Sequence, residues 1–555
     1  MFQLSATTTV LLLVGFYGLT YLLTRTIRKK KENVDGFMVS NNAVGFGISA
    51  ASMTATWVWA ASFYASASSG YTYGLSGPIH YGLWGALMIL CIYPFGRRFR
   101  EVAPKAHTLA EVMHARHGRS SQLILAFSNI VGSVISLTAN FTAAGALVAV
   151  LTPFDFLHGV LAVAVGVLTY TLWSGFRASV LTDFAQLVAL MLAAALIIPM
   201  IFFAAGGPSM LGDGLRSLTS EQADFFSLTA FLEQGGPYLA AVLAYAIGNQ
   251  TIAQRLFAVR QDKIKATFVT ATLGYGGTVI GLGMLGLLAV MVGIRPLDGD
   301  MNNIIPQMAS EYLPAVMIGL LFIMVIGSLS STADSDLAAL SSLVMTDIYG
   351  RNVAGRNVNP ATMLLWGRVT MVGATALGVM FAVSNFDILD LLVFVGGLWG
   401  ALVFPVIVSM YWNRITNVAF TVAALVGTGF FLVARFELLA LTGVVAVVLE
   451  LAAAAGIAVV FGLMTFGFLG RNAGLGVAVA SGLGFAPLVL GFLRDYPTLL
   501  GSLVAYGASA VTCVLISLRS TERFDFALLG QRVTAFQHAG GRDTEQGDDP
   551  VTARQ

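Results

Sequence analysis

Runs of about 20 apolar residues recur along this chain from end to end, and no other feature restricts its folding as severely. A helix of that length crosses the hydrocarbon core of a bilayer. Lipid offers no water to the backbone, and a helix satisfies its own backbone groups as it crosses. The charged fraction agrees: 10% of the 555 residues are Asp, Glu, Lys or Arg, against roughly 25% in a soluble domain. The sequence reads as an all-α polytopic membrane protein.

Spans fall at 5–24, 44–72, 76–96, 121–150, 156–173, 177–205, 236–254, 266–293, 311–345, 361–383, 387–412, 416–434, 438–468, 474–493 and 497–517, about fifteen helices. The run Leu11 to Leu23 has no basic residues ahead of it and no small-residue cleavage site behind it. The basic stretch RTIRKKK (25–31) follows instead, which marks an uncleaved helix with its amino end outside. An odd number of passes then leaves the carboxyl end in the cytoplasm. Charge in the loops supports this orientation: 25–36 carries five Lys or Arg and 97–122 carries six, whereas the long outer connection 206–236 carries only Arg216 among four acids. The expected location is the cell membrane.

Cys91 and Cys513 lie inside apolar runs and read as buried small hydrophobes, not a disulfide. His107, His114 and His117 share one basic loop without cysteines and read as solvated. The segment from Ser520 onward is polar and reads as a loose tail. No nucleic-acid partner is expected, and the oligomeric state is open.

Polar groups inside such helices are costly unless satisfied, so they mark packing contacts or a pathway. Three segments stand out. In ISAASMTATWVWAASFYASASSGYTYGLSGP (48–78), small residues suit close helix packing. They do not explain two tryptophans far from the interfacial belt, and a helix interrupted near Trp57 to Trp59 would free backbone carbonyls for a cation. In SGFRASVLTDFAQL (174–187), Asp183 is either a helix-capping carboxylate or an acid on an ion path. In GSLSSTADSDLAALSSLVMTD (327–347), Ser328, Ser331, Thr332 and Ser335 share one helical face. Such a stripe serves close packing or an oxygen cage for a hard monovalent cation. Asp334 and Asp336 lean towards it.

These segments resemble the sodium:solute symporters, and within them the urea active transporters. The motifs that carry the likeness are TWVWAASFYASASSGYTYGLSGPIHY (56–81), EVAPKAHTLAEVM (101–113) and SSTADSDLAALSSLVMTDIY (330–349), with TDF (182–184) and NQTIAQR (249–255) shared more widely. The resemblance implies a LeuT-like core of two inverted five-helix repeats, at 36–205 and 236–413, separated by the outer loop 206–235. One helix and its basic loop (1–35) would precede the core. About four helices (414–518) and a cytoplasmic tail (519–555) would follow.

The resemblance also implies a sodium held by the carbonyls of Ala55, Val58 and Ser328 and the hydroxyls of Ser331 and Thr332. A second cation would involve Asp183, Asp334 and Ser335. Asp334 stands where relatives keep a hydroxyl, so a proton could be coupled there instead. Tyr245 matches an inner-gate tyrosine. The sugar-binding positions of one relative fall here on Ala61, Ser62 and Tyr81, so a hexose pocket is not reproduced. Trp57, Trp59, His80 and Trp399 would wall a smaller site for a neutral hydrogen-bonding solute such as urea.

The expected function is therefore cation-coupled symport by alternating access, with sodium as coupling ion and no other cofactor. A polyamine, amino acid or monocarboxylate is the alternative cargo. A uniporter or channel, a membrane sensor and an intramembrane aspartyl enzyme are the remaining classes. The enzyme reading lacks a Gly-x-Gly-Asp element, and nothing after Ser520 is long enough for a kinase.

Overall fold

Apolar length and backbone satisfaction together produce a helical bundle, and the computed structural model describes it over residues 2–27, 34–40, 44–58, 60–354 and 359–538. Among the described residues, twelve helices are long and apolar enough to cross a bilayer. Three further passes are shorter or interrupted. They are the pair Phe46–Trp57 and Ala60–Tyr73, the segment Phe156–Leu172, and the pair Gly236–Gly248 and Gln250–Ala258. Counting them gives the fifteen expected passes.

The first pass is α1 (Ala6–Ile27). The next five passes are α2 (Phe46–Trp57) with α3 (Ala60–Tyr73), α4 (Ser76–Val102), α6 (Arg119–Leu151), and the two legs of α7 (Phe156–Ala204), with the short α5 (Leu109–Arg116) between α4 and α6. A second set of five follows as α8 (Gly236–Gly248) with α9 (Gln250–Ala258), α10 (Ile264–Met291), α11 (Ala315–Leu343), α12 (Pro360–Ala382) and α13 (Ile388–Val408). Each set opens on a broken helix. The last four passes are α14 (Asn417–Arg435), α15 (Gly443–Leu469), α16 (Arg471–Val489) and α17 (Pro497–Arg519).

The 156–173 and 177–205 spans are continuous in α7, a 49-residue helix bent at Gly175, whose φ of 51° lies in the left-handed region. A side chain there would also strike the Phe37 ring, so only glycine turns this corner. The lower leg of α7 packs against α11 and α2, which brings Asp183 to the hydroxyl stripe. Outward faces carry Leu11, Val14, Leu192, Leu273 and Leu483 exposed, as lipid contact requires.

Two expectations change at one end of the bundle. His107 and His117 are not solvated: the first is 4% exposed, and the second is half-buried and bonds through Nε2 to the Ser409 hydroxyl at 2.6 Å. Ser409 gives its own proton to the Pro405 carbonyl, so His117 donates. Its Nδ1 has no partner among the described residues and Arg116 lies beside it, and desolvation with that positive neighbour holds the imidazole pKa well below the ordinary value.

The tail is not loose over 520–538 either. It forms α18 (Leu529–His538), which rests on α5 with Leu529 and Val533 buried. Phe524 caps this contact, its ring 4.2 Å from the Arg116 guanidinium and its amide donating to the Asn413 carbonyl at 2.9 Å. The rest of the tail, 539–555, lies outside the described residues. Cys91 and Cys513 are buried and unpaired, as read from the sequence.

Candidate functional site

Where α2 ends, Trp57 is the last helical residue and Val58 leaves helical geometry with φ −81° and ψ 56°. The break lies where the tryptophans placed it; Trp59 itself lies outside the described residues. Backbone carbonyls freed there face the stripe on α11. The Ser328 hydroxyl donates to the Val58 carbonyl at 2.7 Å, and Thr332 Oγ1 lies 3.3 Å from the Thr56 carbonyl and 3.5 Å from that of Ser328. Five uncharged oxygens thus meet between two helices. Ala55, buried in the last turn of α2, is one residue before Thr56.

Ser331, on the same stripe, turns to Asp183 and donates to Oδ1 at 2.5 Å. Asp183 is the hub of a buried polar network. Ser52 donates to its Oδ2 at 2.6 Å, and Arg255 reaches the same oxygen at 2.8 Å. The guanidinium also donates to Ser335 Oγ at 2.7 Å and to Ser52 Oγ at 3.0 Å. Arg255 was not among the residues singled out for the site. It ends the NQTIAQR motif, and Asn249 caps α9 through the Thr251 amide at 2.8 Å, aiming that helix and its arginine at Asp183. With Asp183 0% and Arg255 4% exposed, each charge is held by the other.

Asp334 does not touch this ion pair directly. Tyr170 donates to its Oδ2 at 2.7 Å and Thr182 at 3.3 Å, while Ser335 lies 3.3 Å from Oδ1. Ser335 therefore touches both the guanidinium and the Asp334 carboxylate. Asp183, Asp334 and Ser335 are together, as the sequence suggested, but an arginine sits among them.

Beside the stripe lies a cavity of about 30 Å³ lined by Thr56, Trp57, Ser136, Tyr245, Asn249, Thr251, Thr332, Asp336 and Trp399, with apolar residues of α6 and α13. Space for one water needs about 10–15 Å³ by this measure, so a solute of a few heavy atoms fits. Tyr245 is fixed in the wall by a 2.7 Å bond to the Leu392 carbonyl and by ring contacts to Trp57 and Trp399 at 5.9 and 5.0 Å. Trp399 is held by its N–H on the Ser128 carbonyl at 3.1 Å and lies against Gly132 and Gly248.

Trp57, Tyr245 and Trp399 thus meet around one cavity. Ser62, Tyr81 and His80 do not line it. Tyr81 donates to Ser62 at 3.3 Å and its ring packs on Tyr238. His80 is farther off, accepting from Trp84 at 3.1 Å with its ring on Phe226. Asp336, noted in the sequence only as leaning towards the stripe, is a wall residue.

Comparison with known proteins agrees with this architecture. Residues 37–427 match the model of the sodium:solute symporter family. The chain is 23% identical over 455 residues to probable urea active transporter 1 of Schizosaccharomyces pombe, covering 75% of this chain and 67% of that one. It is 24% identical over 430 residues to the high-affinity proline transporter PutP of Bacillus subtilis, covering 73% and 86%. Among solved structures it resembles a Na+-coupled sialic acid symporter in a substrate-bound outward-open state, with a TM-score of 0.66 at 18% identity over 87% of this chain and 98% of that one. The likeness over 87% of the chain shows the LeuT-like fold. A match over well more than half of its length makes this chain a member of the sodium:solute symporter family, a multi-pass membrane transporter and not an enzyme.

Proposed function

We propose that the protein carries urea, or a solute of closely similar size and chemistry, together with sodium by alternating access. The observation that carries this reading is the small aromatic cavity, with no Lys or Arg in its lining, directly beside a stripe of uncharged oxygens. A cavity of about 30 Å³ suits urea better than proline in this conformation. Sodium would be held by the carbonyls of Ala55, Val58 and Ser328 and the hydroxyls of Ser331 and Thr332. These are hard, neutral donors that can replace water and still release the ion. Thr332 lines the cavity and belongs to the stripe, so ion and solute would be bound side by side.

A neutral solute gains nothing from the membrane potential by itself. Moving one sodium charge through 100 mV supplies about 2.3 kcal/mol, which is roughly a 50-fold concentration ratio at 1.4 kcal/mol per decade. We place the amino terminus outside and the carboxyl terminus inside, following the loop charges. The Arg255 guanidinium stands where a second cation would meet Asp183 and Ser335, so one sodium per cycle is the favoured stoichiometry.

A second reading rests on Asp334, whose recorded partners are hydroxyls and not a cation. In that reading a proton on Asp334 replaces or joins sodium. Uptake of radiolabelled urea into proteoliposomes separates these, with a sodium gradient, a proton gradient or neither. Thr332→Ala is expected to raise the sodium requirement sharply while leaving a proton-driven component intact. Urea flux indifferent to both gradients would overturn symport altogether.

A further inference from the structure

Among the described residues that line the cavity one is charged, and its placement gives the site a direction. Asp336 is 1% exposed, and the Ser136 hydroxyl from α6 donates to its Oδ2 at 2.5 Å. No other lining residue is an acid, a lysine or an arginine. Trp57 supplies the complement. It is 6% exposed and its indole N–H has no hydrogen-bond partner among the described residues, whereas the N–H of Trp399 is spent on the Ser128 carbonyl. A buried donor without an acceptor is uncommon and costly, so it points to an occupant that supplies one.

From this pairing we infer that Asp336 is the specificity-determining residue of the cavity. Its carboxylate accepts N–H donors of the solute while the Trp57 indole donates to the solute's carbonyl oxygen. The inference rests on the reading of a small neutral solute given above and deepens it. A site so arranged takes compounds that combine a carbonyl with unsubstituted N–H groups, the urea and primary amide class. It disfavours carboxylates of the same shape, because a second negative charge beside Asp336 finds no Lys or Arg among the described residues of this aromatic-walled lining. Ser136 acts as a positioning residue, fixing the plane in which the carboxylate faces the cavity.

Acetamide and acetate are nearly isosteric and differ only in this respect, so they are the decisive probes. In proteoliposomes, wild-type uptake of labelled urea should be competed by acetamide and not by acetate. Asp336→Asn should raise the KM for urea by about tenfold or more, the usual effect of losing a hydrogen bond to a charged group. It should also shrink the discrimination between acetamide and acetate by a similar factor and leave the KM for sodium within about twofold. Should the Asn variant fail to reach the membrane, Ser136→Ala carries the test, with a severalfold rise in urea KM at unchanged maximal rate. An unchanged solute ranking in Asp336→Asn, or an unchanged urea KM in Ser136→Ala, overturns the inference. If wild type ignores urea but transports another amide in an Asp336-dependent way, the urea reading fails while the inference stands.

Discussion

Replacing Arg255 with glutamine should strip the buried Asp183 of its counter-charge. The carboxylate is 0% exposed and would keep Ser52 and Ser331 as donors at 2.6 and 2.5 Å, but no cation. Breaking a buried pair from one side costs about 3–5 kcal/mol, a shift of roughly 100- to 5,000-fold in an unfolding equilibrium. Asp183→Asn alone should cost a similar amount, since the guanidinium then keeps only neutral partners such as Ser335 and Ser52. The double variant carries two neutral amides at the same junction and should cost no more than either single variant, giving a coupling energy of at least about 3 kcal/mol. Arg255→Lys should fall between, because an ammonium cannot reproduce the fork that reaches Asp183, Ser335 and Ser52 together. Equilibrium unfolding in mixed detergent micelles, followed by tryptophan fluorescence, measures all four proteins. Strictly additive single-variant losses would refute the reasoning, because they would mean that the two charges do not rely on one another.

Three further outcomes follow from the geometry. Gly132→Ala should abolish transport without preventing assembly in the membrane: the added carbon would lie 2.0 Å from the Trp399 ring, which is pinned and can only move into the cavity. Saturable urea uptake at wild-type rate would count against it. Acidification should loosen the His117–Ser409 junction. The folded-state pKa of His117 is depressed, so its stabilisation is complete above the ordinary value of about 6.5 and is lost as pH falls below it. His117→Gln should flatten that slope in thermal unfolding between about pH 7 and pH 5. Finally, Val533→Asp should release α18 from α5, because the side chain is 1% exposed there. Tryptic cleavage after Arg532 or Arg523 should then accelerate by about tenfold or more, and unchanged protection would show that the tail is held by other means.

The sequence made the passes legible because apolar length is a local property, and the broken helix was legible because tryptophans at 57 and 59 conflict with an uninterrupted span. The stripe was readable for a similar reason, since spacing alone puts Ser328, Ser331, Thr332 and Ser335 on one face. What spacing cannot give is the partner from another helix. Arg255 shows this well: the expected span 236–254 stopped one residue short of it, so it read as the edge of a loop. It is the only basic residue between 236 and 259, and an isolated charge in such a stretch was the signal that a buried acid must face it. The tail was misread because composition alone was weighed. Leu529 and Val533 are one helical turn apart, and with Phe524 they form an apolar edge that needs a surface to cover it. His107 and His117 looked solvated for the same reason, as nothing in a basic loop announces that another helix end will close over it.

Trp399 has a consequence for how such a transporter could change its cargo. The ring is flanked by two glycines on different helices, at 132 and 248, and its nitrogen is tied to a third position, the carbonyl of Ser128. The width of the solute site is therefore not the property of one side chain. A smaller residue at 399 would leave two adjoining hollows at the glycines, and a larger residue at either glycine would be tolerated only after the indole had gone. Moving to a bulkier solute is thus an ordered path in sequence space, with the tryptophan lost first and the glycines filled afterwards. The reverse order passes through a protein whose cavity is shut.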